Sequence, residues 1–87
     1  MKIRARFFGP LALRVGREVE IELPDNVSQA DAVERIFRKL ELGQVDIREK
    51  GASSGFIKIF VNGKAFDPNV SLKDGDEIIF YPPITGG

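Results

Sequence analysis

Eighty-seven residues, 43% of them hydrophobic, suffice for one core and one domain and are too few for two. Thirteen basic residues balance thirteen acidic ones, so the chain carries no net positive field and no electrostatic footprint for nucleic acid. Cysteine and histidine are both absent, which excludes disulfides, zinc-thiolate sites, thiol nucleophiles and the usual imidazole base, and a self-contained enzyme is not expected.

No apolar run approaches the roughly 20 residues of a membrane span, and Met1-Lys2-Ile3-Arg4 leads into alternation rather than the apolar stretch of a signal peptide. The expected location is the cytoplasm, with no membrane partner. From Lys2 to Phe8, Ile3, Ala5 and Phe7 alternate with Lys2, Arg4 and Arg6, the period of a half-buried strand. Arg17 to Leu23 repeats it, with Val19, Ile21 and Leu23 inward and Glu18, Glu20 and Glu22 on a solvated face. Between them Gly9-Pro10 and Gly16 bracket Leu11 to Val15, read as a connection longer than a tight hairpin turn.

Pro24-Asp25-Asn26 ends the second strand, and Ser28-Gln29-Ala30-Asp31 has the spacing of a capping box. Behind it Val33, Ile36, Phe37 and Leu40 form one apolar stripe, which predicts an amphipathic helix of about 12 residues with Gly43 as its stop. Glu41 to Gly55 reads as a loop with one irregular turn, ending in Gly51-Ala52-Ser53-Ser54-Gly55. Phe56 to Val61 reads as a strand, and Asn62-Gly63 as a hairpin turn into a short partner at Lys64-Ala65-Phe66. After Asp67-Pro68-Asn69 and a turn at Ser71 to Asp76, Glu77 to Tyr81 makes the last strand before Pro82-Pro83 forbids further ladder bonds. The order β, β, α, β, short β, β leaves one helix to cover one face of a mixed sheet, an α+β roll.

This order and three stretches resemble the ubiquitin-like β-grasp family, and within it the sulfur carriers of the MoaD/ThiS family, the small subunits of molybdopterin synthase above all. The stretches are Arg6-Phe7-Phe8-Gly9 with the Leu11-to-Gly16 connection, Val61-Asn62-Gly63, and the run from Asp74-Gly75-Asp76-Glu77 through Pro82-Pro83 to Gly86-Gly87. The resemblance implies a β-grasp roll, a mixed sheet of four to five strands on one main helix, over residues 1–81, and an extended reactive tail at 82–87. It also implies that a ubiquitin-activating-type adenylating enzyme, using ATP and Mg²⁺, activates the carboxylate of Gly87. Sulfur from a donor of cysteine desulfurase or rhodanese type then displaces AMP, leaving 1-thioglycine. The carrier itself would bind no cofactor and no metal, and the large subunit of molybdopterin synthase would hold the pocket in which sulfur is delivered.

The residues suit that chemistry. A carboxylate is a poor electrophile and needs conversion to a mixed anhydride by a partner, so the carrier has only to present its end. Gly86 and Gly87 lack Cβ and let backbone enter a narrow channel. Pro82 and Pro83 direct the arm, Ile84 and Thr85 supply apolar and hydrogen-bonding contacts, and the six residues reach about 20 Å at roughly 3.3 Å each. Alternation further turns Phe8, Phe56, Phe60, Ile79 and Tyr81 onto the face opposite the helix, a candidate docking face for the partner. Phase slips at strand ends would instead place some of these in the core or under the Gly43-to-Gly55 loop. Carriers for thiamine synthesis or tRNA thiolation, a protein modifier conjugated to lysines, and an inert interaction domain remain as alternatives.

Overall fold

The computed structural model describes residues 1–41 and 58–81. Seven elements follow in chain order: β1 (Lys2–Phe7), α1 (Pro10–Val15), β2 (Glu18–Glu22), α2 (Gln29–Lys39), β3 (Lys58–Val61), β4 (Lys64–Ala65) and β5 (Glu77–Tyr81). The five strands form one sheet in the order β2-β1-β5-β3-β4. β1 and β5 run parallel inside the sheet, and every other neighbouring pair is antiparallel.

The alternation read from the sequence decides which face is buried. Ile3, Ala5 and Phe7 of β1, Ile21 of β2, Ile59 and Val61 of β3, and Ile78 and Phe80 of β5 all point into the core with Ala32, Val33, Ile36 and Phe37 of α2. Leu23, Val27 and Leu72 close it from the loops. Val19, at the edge strand, is only half-buried. Phe80 is the hub: its ring stacks on Phe7 at 4.9 Å between centroids and meets Phe37 edge-on at 5.5 Å.

α2 starts as the capping spacing predicts, with Ser28 Oγ accepting from the Asp31 amide at 3.1 Å. It stops before Gly43, which lies outside the described residues. Leu40 caps the helix, and Glu41 turns into the left-handed region at φ 55°, a conformation more often given to glycine. Gln29 at the first turn is buried, and its Oε1 accepts from the Asp67 amide at 2.9 Å, tying the β4–β5 crossover to the helix.

The segment read as a plain connection between the first two strands contains a helix, α1. Pro10 occupies its first turn, the Gly16 amide donates to the Ala12 carbonyl at 2.8 Å, and Leu11, Ala12 and Val15 pack on the core. Six residues are too few for a helical period to emerge from sequence, and so short a helix is held by tertiary packing rather than propensity.

The turns are locked by polar groups. Asn62 and Gly63 both have positive φ (51° and 80°), as a two-residue primed hairpin requires. The Asn62 side chain then joins two motifs: its Nδ2 donates to Asp76 Oδ1 at 2.9 Å, and its Oδ1 accepts from the Glu77 amide at 2.9 Å. Asp76 also accepts from the Lys73 amide, and Asp74 accepts from the Lys2 amide at 2.7 Å. The start of β5 is thereby pinned to both of its neighbours.

Two outcomes are expected from denaturant unfolding. Phe37→Ala removes a ring that is 3% exposed and costs about 3 to 5 kcal/mol, with the slope m unchanged. Asn62→Ala removes two hydrogen bonds and a residue tolerant of positive φ, and costs about 1 to 3 kcal/mol.

Candidate functional site

Because β1 and β5 are parallel, their C-terminal ends coincide, and the register Phe7↔Phe80 places Phe8 beside Tyr81. The Phe8 amide donates to the Phe80 carbonyl at 3.2 Å and holds that alignment one residue past the end of β1. Alternation therefore builds two aromatic stacks back to back. Phe7 and Phe80 form the buried one; Phe8 and Tyr81 form the outer one, also with centroids 4.9 Å apart and planes within 8°.

The outer stack is part of a cluster. Phe60 stands edge-on to Tyr81 at 5.6 Å and is paired across β3–β5 with Ile79. Phe8 and Tyr81 are 36% and 38% exposed, while Phe60 and Ile79 are half-buried beneath them. Arg6 borders the patch, with its guanidinium 5.8 Å from the Phe8 ring centroid and 3.7 Å from Glu77. Lys58, in register with Tyr81, borders it on the β3 side.

Away from this end the outer face is charged. Lys2, Arg4 and Arg6 stand in register with Glu22, Glu20 and Glu18 of β2, and Arg4 reaches Glu18 at 3.8 Å. Exposed pairs of this kind contribute little stability, about 0 to 1 kcal/mol each, but they leave the apolar part of the sheet concentrated where β5 ends. Tyr81, which precedes 82–87 in the chain, ends the middle strand of the sheet within the aromatic cluster.

Of the residues expected on a docking face, the structure gathers Phe8, Phe60, Ile79 and Tyr81 on one side of the sheet. Phe56, Pro82, Pro83, Ile84, Thr85, Gly86 and Gly87 lie outside the described residues. Among the described residues no group of three or more Asp or Glu side chains is placed to hold a metal, and no helix is long and apolar enough to cross a membrane. Sequence reasoning gave Arg6 no place at the docking face, because its alternation with Arg4 marks it only as outward. It also passed over Leu13 of α1, for which a six-residue helix offers no periodic signal.

A five-stranded mixed sheet with a parallel pair at its centre, curled on one main helix, is the ubiquitin-like β-grasp fold. The ThiS family model matches residues 5–87, and the chain belongs to the ThiS family of ubiquitin-like sulfur carriers. Among solved structures, a protein described as subunit 1 of a molybdopterin converting factor from Pyrococcus furiosus is 28% identical, with a TM-score of 0.76 over 97% of this chain and 99% of its own. The complex of subunits 1 and 2 of the molybdopterin-converting factor from Helicobacter pylori contains a chain 28% identical, with a TM-score of 0.60 and full coverage of both chains. The small archaeal modifier protein 1 from Methanosarcina acetivorans is 26% identical, with a TM-score of 0.70 over 99% of this chain and 96% of its own. No curated protein matches significantly.

The two stacks are expected to respond differently to truncation. Phe80→Ala costs about 3 to 5 kcal/mol as a buried cavity, whereas Phe8→Ala costs about 1.5 kcal/mol or less, the contribution of an exposed aromatic pair. Urea unfolding followed by circular dichroism measures both, and equal costs would mean that the outer rings serve folding.

Proposed function

We propose that this protein carries sulfur as a thiocarboxylate on Gly87 and delivers it to the molybdopterin precursor as the small subunit of molybdopterin synthase. The observation that carries this reading is the family match, which runs through Pro82-Pro83 and Ile84-Thr85 to Gly87. The similarity to a protein described as subunit 1 of a molybdopterin converting factor, and to a chain in a complex of subunits 1 and 2 of such a factor, favours this acceptor over the other sulfur pathways.

On this reading the chain has no catalytic pocket of its own. The carboxylate of Gly87 attacks the α-phosphorus of ATP in a ubiquitin-activating-type enzyme, pyrophosphate leaves, and sulfur from a cysteine desulfurase or rhodanese type donor replaces AMP. Mg²⁺ and ATP belong to that enzyme, and the reaction belongs to the cytoplasm, where ATP is supplied. The large subunit of the synthase then receives the tail and holds the pterin. Docking falls to the outer cluster of Phe8, Phe60, Ile79 and Tyr81, which stands at the root of the tail, with Phe56 preceding it in sequence.

A second reading, conjugation of Gly87 to lysines of other proteins, is favoured by the similarity to an archaeal modifier protein. It uses the same activation and differs in the nucleophile that takes the acyl group.

One measurement separates the readings. The protein isolated from its own organism should gain about 16 Da on its C-terminal peptide, sulfur replacing oxygen at Gly87. Isopeptide-linked Gly87 on lysine peptides would make modification the primary role, and an unmodified carboxylate in the presence of the activating enzyme would overturn both readings. Deleting Gly87 should abolish activation and leave the unfolding midpoint unchanged.

A further inference from the structure

Four large apolar side chains are exposed among the described residues: Phe8, Leu13, Val70 and Tyr81. Single exposed leucines are ordinary on protein surfaces, so what matters is where these four lie. Phe8 and Tyr81 mark the end of the sheet at which β5 stops, just before 82–87 in the chain. α1 stands at the same end. It begins two residues after Phe8, and the chain leaving it returns at once to β1, where the Phe7 amide donates to the Arg17 carbonyl at 2.9 Å. Val70 lies elsewhere: its carbonyl accepts from the Gln29 amide at the N-terminus of α2, about 16 Å of helix away from the C-terminal end of α2. That C-terminal end is the one α1 touches, through Arg14 Nη2 and the Glu41 carbonyl at 3.5 Å.

Within α1, Leu11, Ala12 and Val15 pack on the core, and Leu13 is 90% exposed. A side chain that projects from a turn anchored by three apolar neighbours loses little further backbone freedom when it is buried by a partner. The covalent reach of the tail supplies the occupant. Gly87 lies six residues beyond Tyr81, a span of at most about 20 Å, so on the carrier reading an enzyme acting on Gly87 must bring its channel mouth against the surface around Tyr81.

We propose that Leu13 is a docking residue for the large subunit that receives the tail, and that the interface runs from the outer aromatic cluster, past the root of the tail, onto the crest of α1. The partner's matching feature is an apolar depression at the rim of its channel. This rests on the carrier reading and adds to it a contact beyond the sheet face, on the helix that follows Phe8.

The test is calorimetric titration of the molybdopterin synthase large subunit of the same organism with the wild-type chain, Leu13→Ser, Leu13→Lys and Val70→Ser. Thermal melts should coincide for all four, since neither position packs in the core. The expected result is a loss of about tenfold or more in affinity for both Leu13 variants, with Val70→Ser within about twofold of wild type. Wild-type affinity in Leu13→Ser, or an equal loss in Val70→Ser, would overturn the role of Leu13 while leaving the carrier reading intact. No binding by the wild-type chain would instead overturn the synthase reading, and this inference with it.

Discussion

The parallel pairing of β1 and β5 is the constraint from which the rest of the molecule follows. These two strands lie inside the sheet, and their register sets Phe7 against Phe80 in the core and, one residue on, Phe8 against Tyr81 outside. A slip of one residue would exchange the faces, sending Tyr81 and Ile79 inward and Phe80 and Ile78 into water. With Phe80 in contact with both Phe7 and Phe37, such a slip would lose several kcal/mol of buried aromatic contact. Core packing and the shape of the outer face are thus decided by one register.

Parallel pairing has a second consequence. It brings the C-terminal ends of β1 and β5 to the same edge of the molecule, so the aromatic residue following β1, the α1 excursion and Tyr81 converge there. The opposite end is assigned to polar turn chemistry. Asn62, Asp74 and Asp76 connect the β3–β4 hairpin, the start of β1 and the start of β5 through side-chain hydrogen bonds. Residues of two family-like motifs, Val61-Asn62-Gly63 and Asp74-Gly75-Asp76-Glu77, therefore serve architecture. They hold the central strand at one end so that its other end is presented in a fixed direction.

This separation suits a carrier. The body exposes several aromatic groups around the end of β5, while Lys2 and Arg4 stand in register with Glu22 and Glu20 along the far part of the same face. An apolar patch rimmed by Arg6 and Lys58 fits burial against another protein's surface.

Much of this was legible from sequence because two-residue periodicity is set by the strand itself: Ile3, Ala5, Phe7, Ile78 and Phe80 point inward in any half-buried strand with that phase. The Ser28 cap and the Asn62-Gly63 turn were likewise local, each specified by a side chain bonding its own neighbourhood or tolerating positive φ. Tertiary structure decided what depends on residues distant in the chain. It paired β1 with β5 as well as with β2, formed α1 without a helical period because Leu11, Ala12 and Val15 find the core, and buried Gln29 against the Asp67 amide. It also decided that Phe8, Phe60, Ile79 and Tyr81 form one cluster while Leu13 stays in water. Alternation tells which face a side chain takes, but adjacency across strands is fixed by pairing partners many residues apart, and no local pattern encodes it.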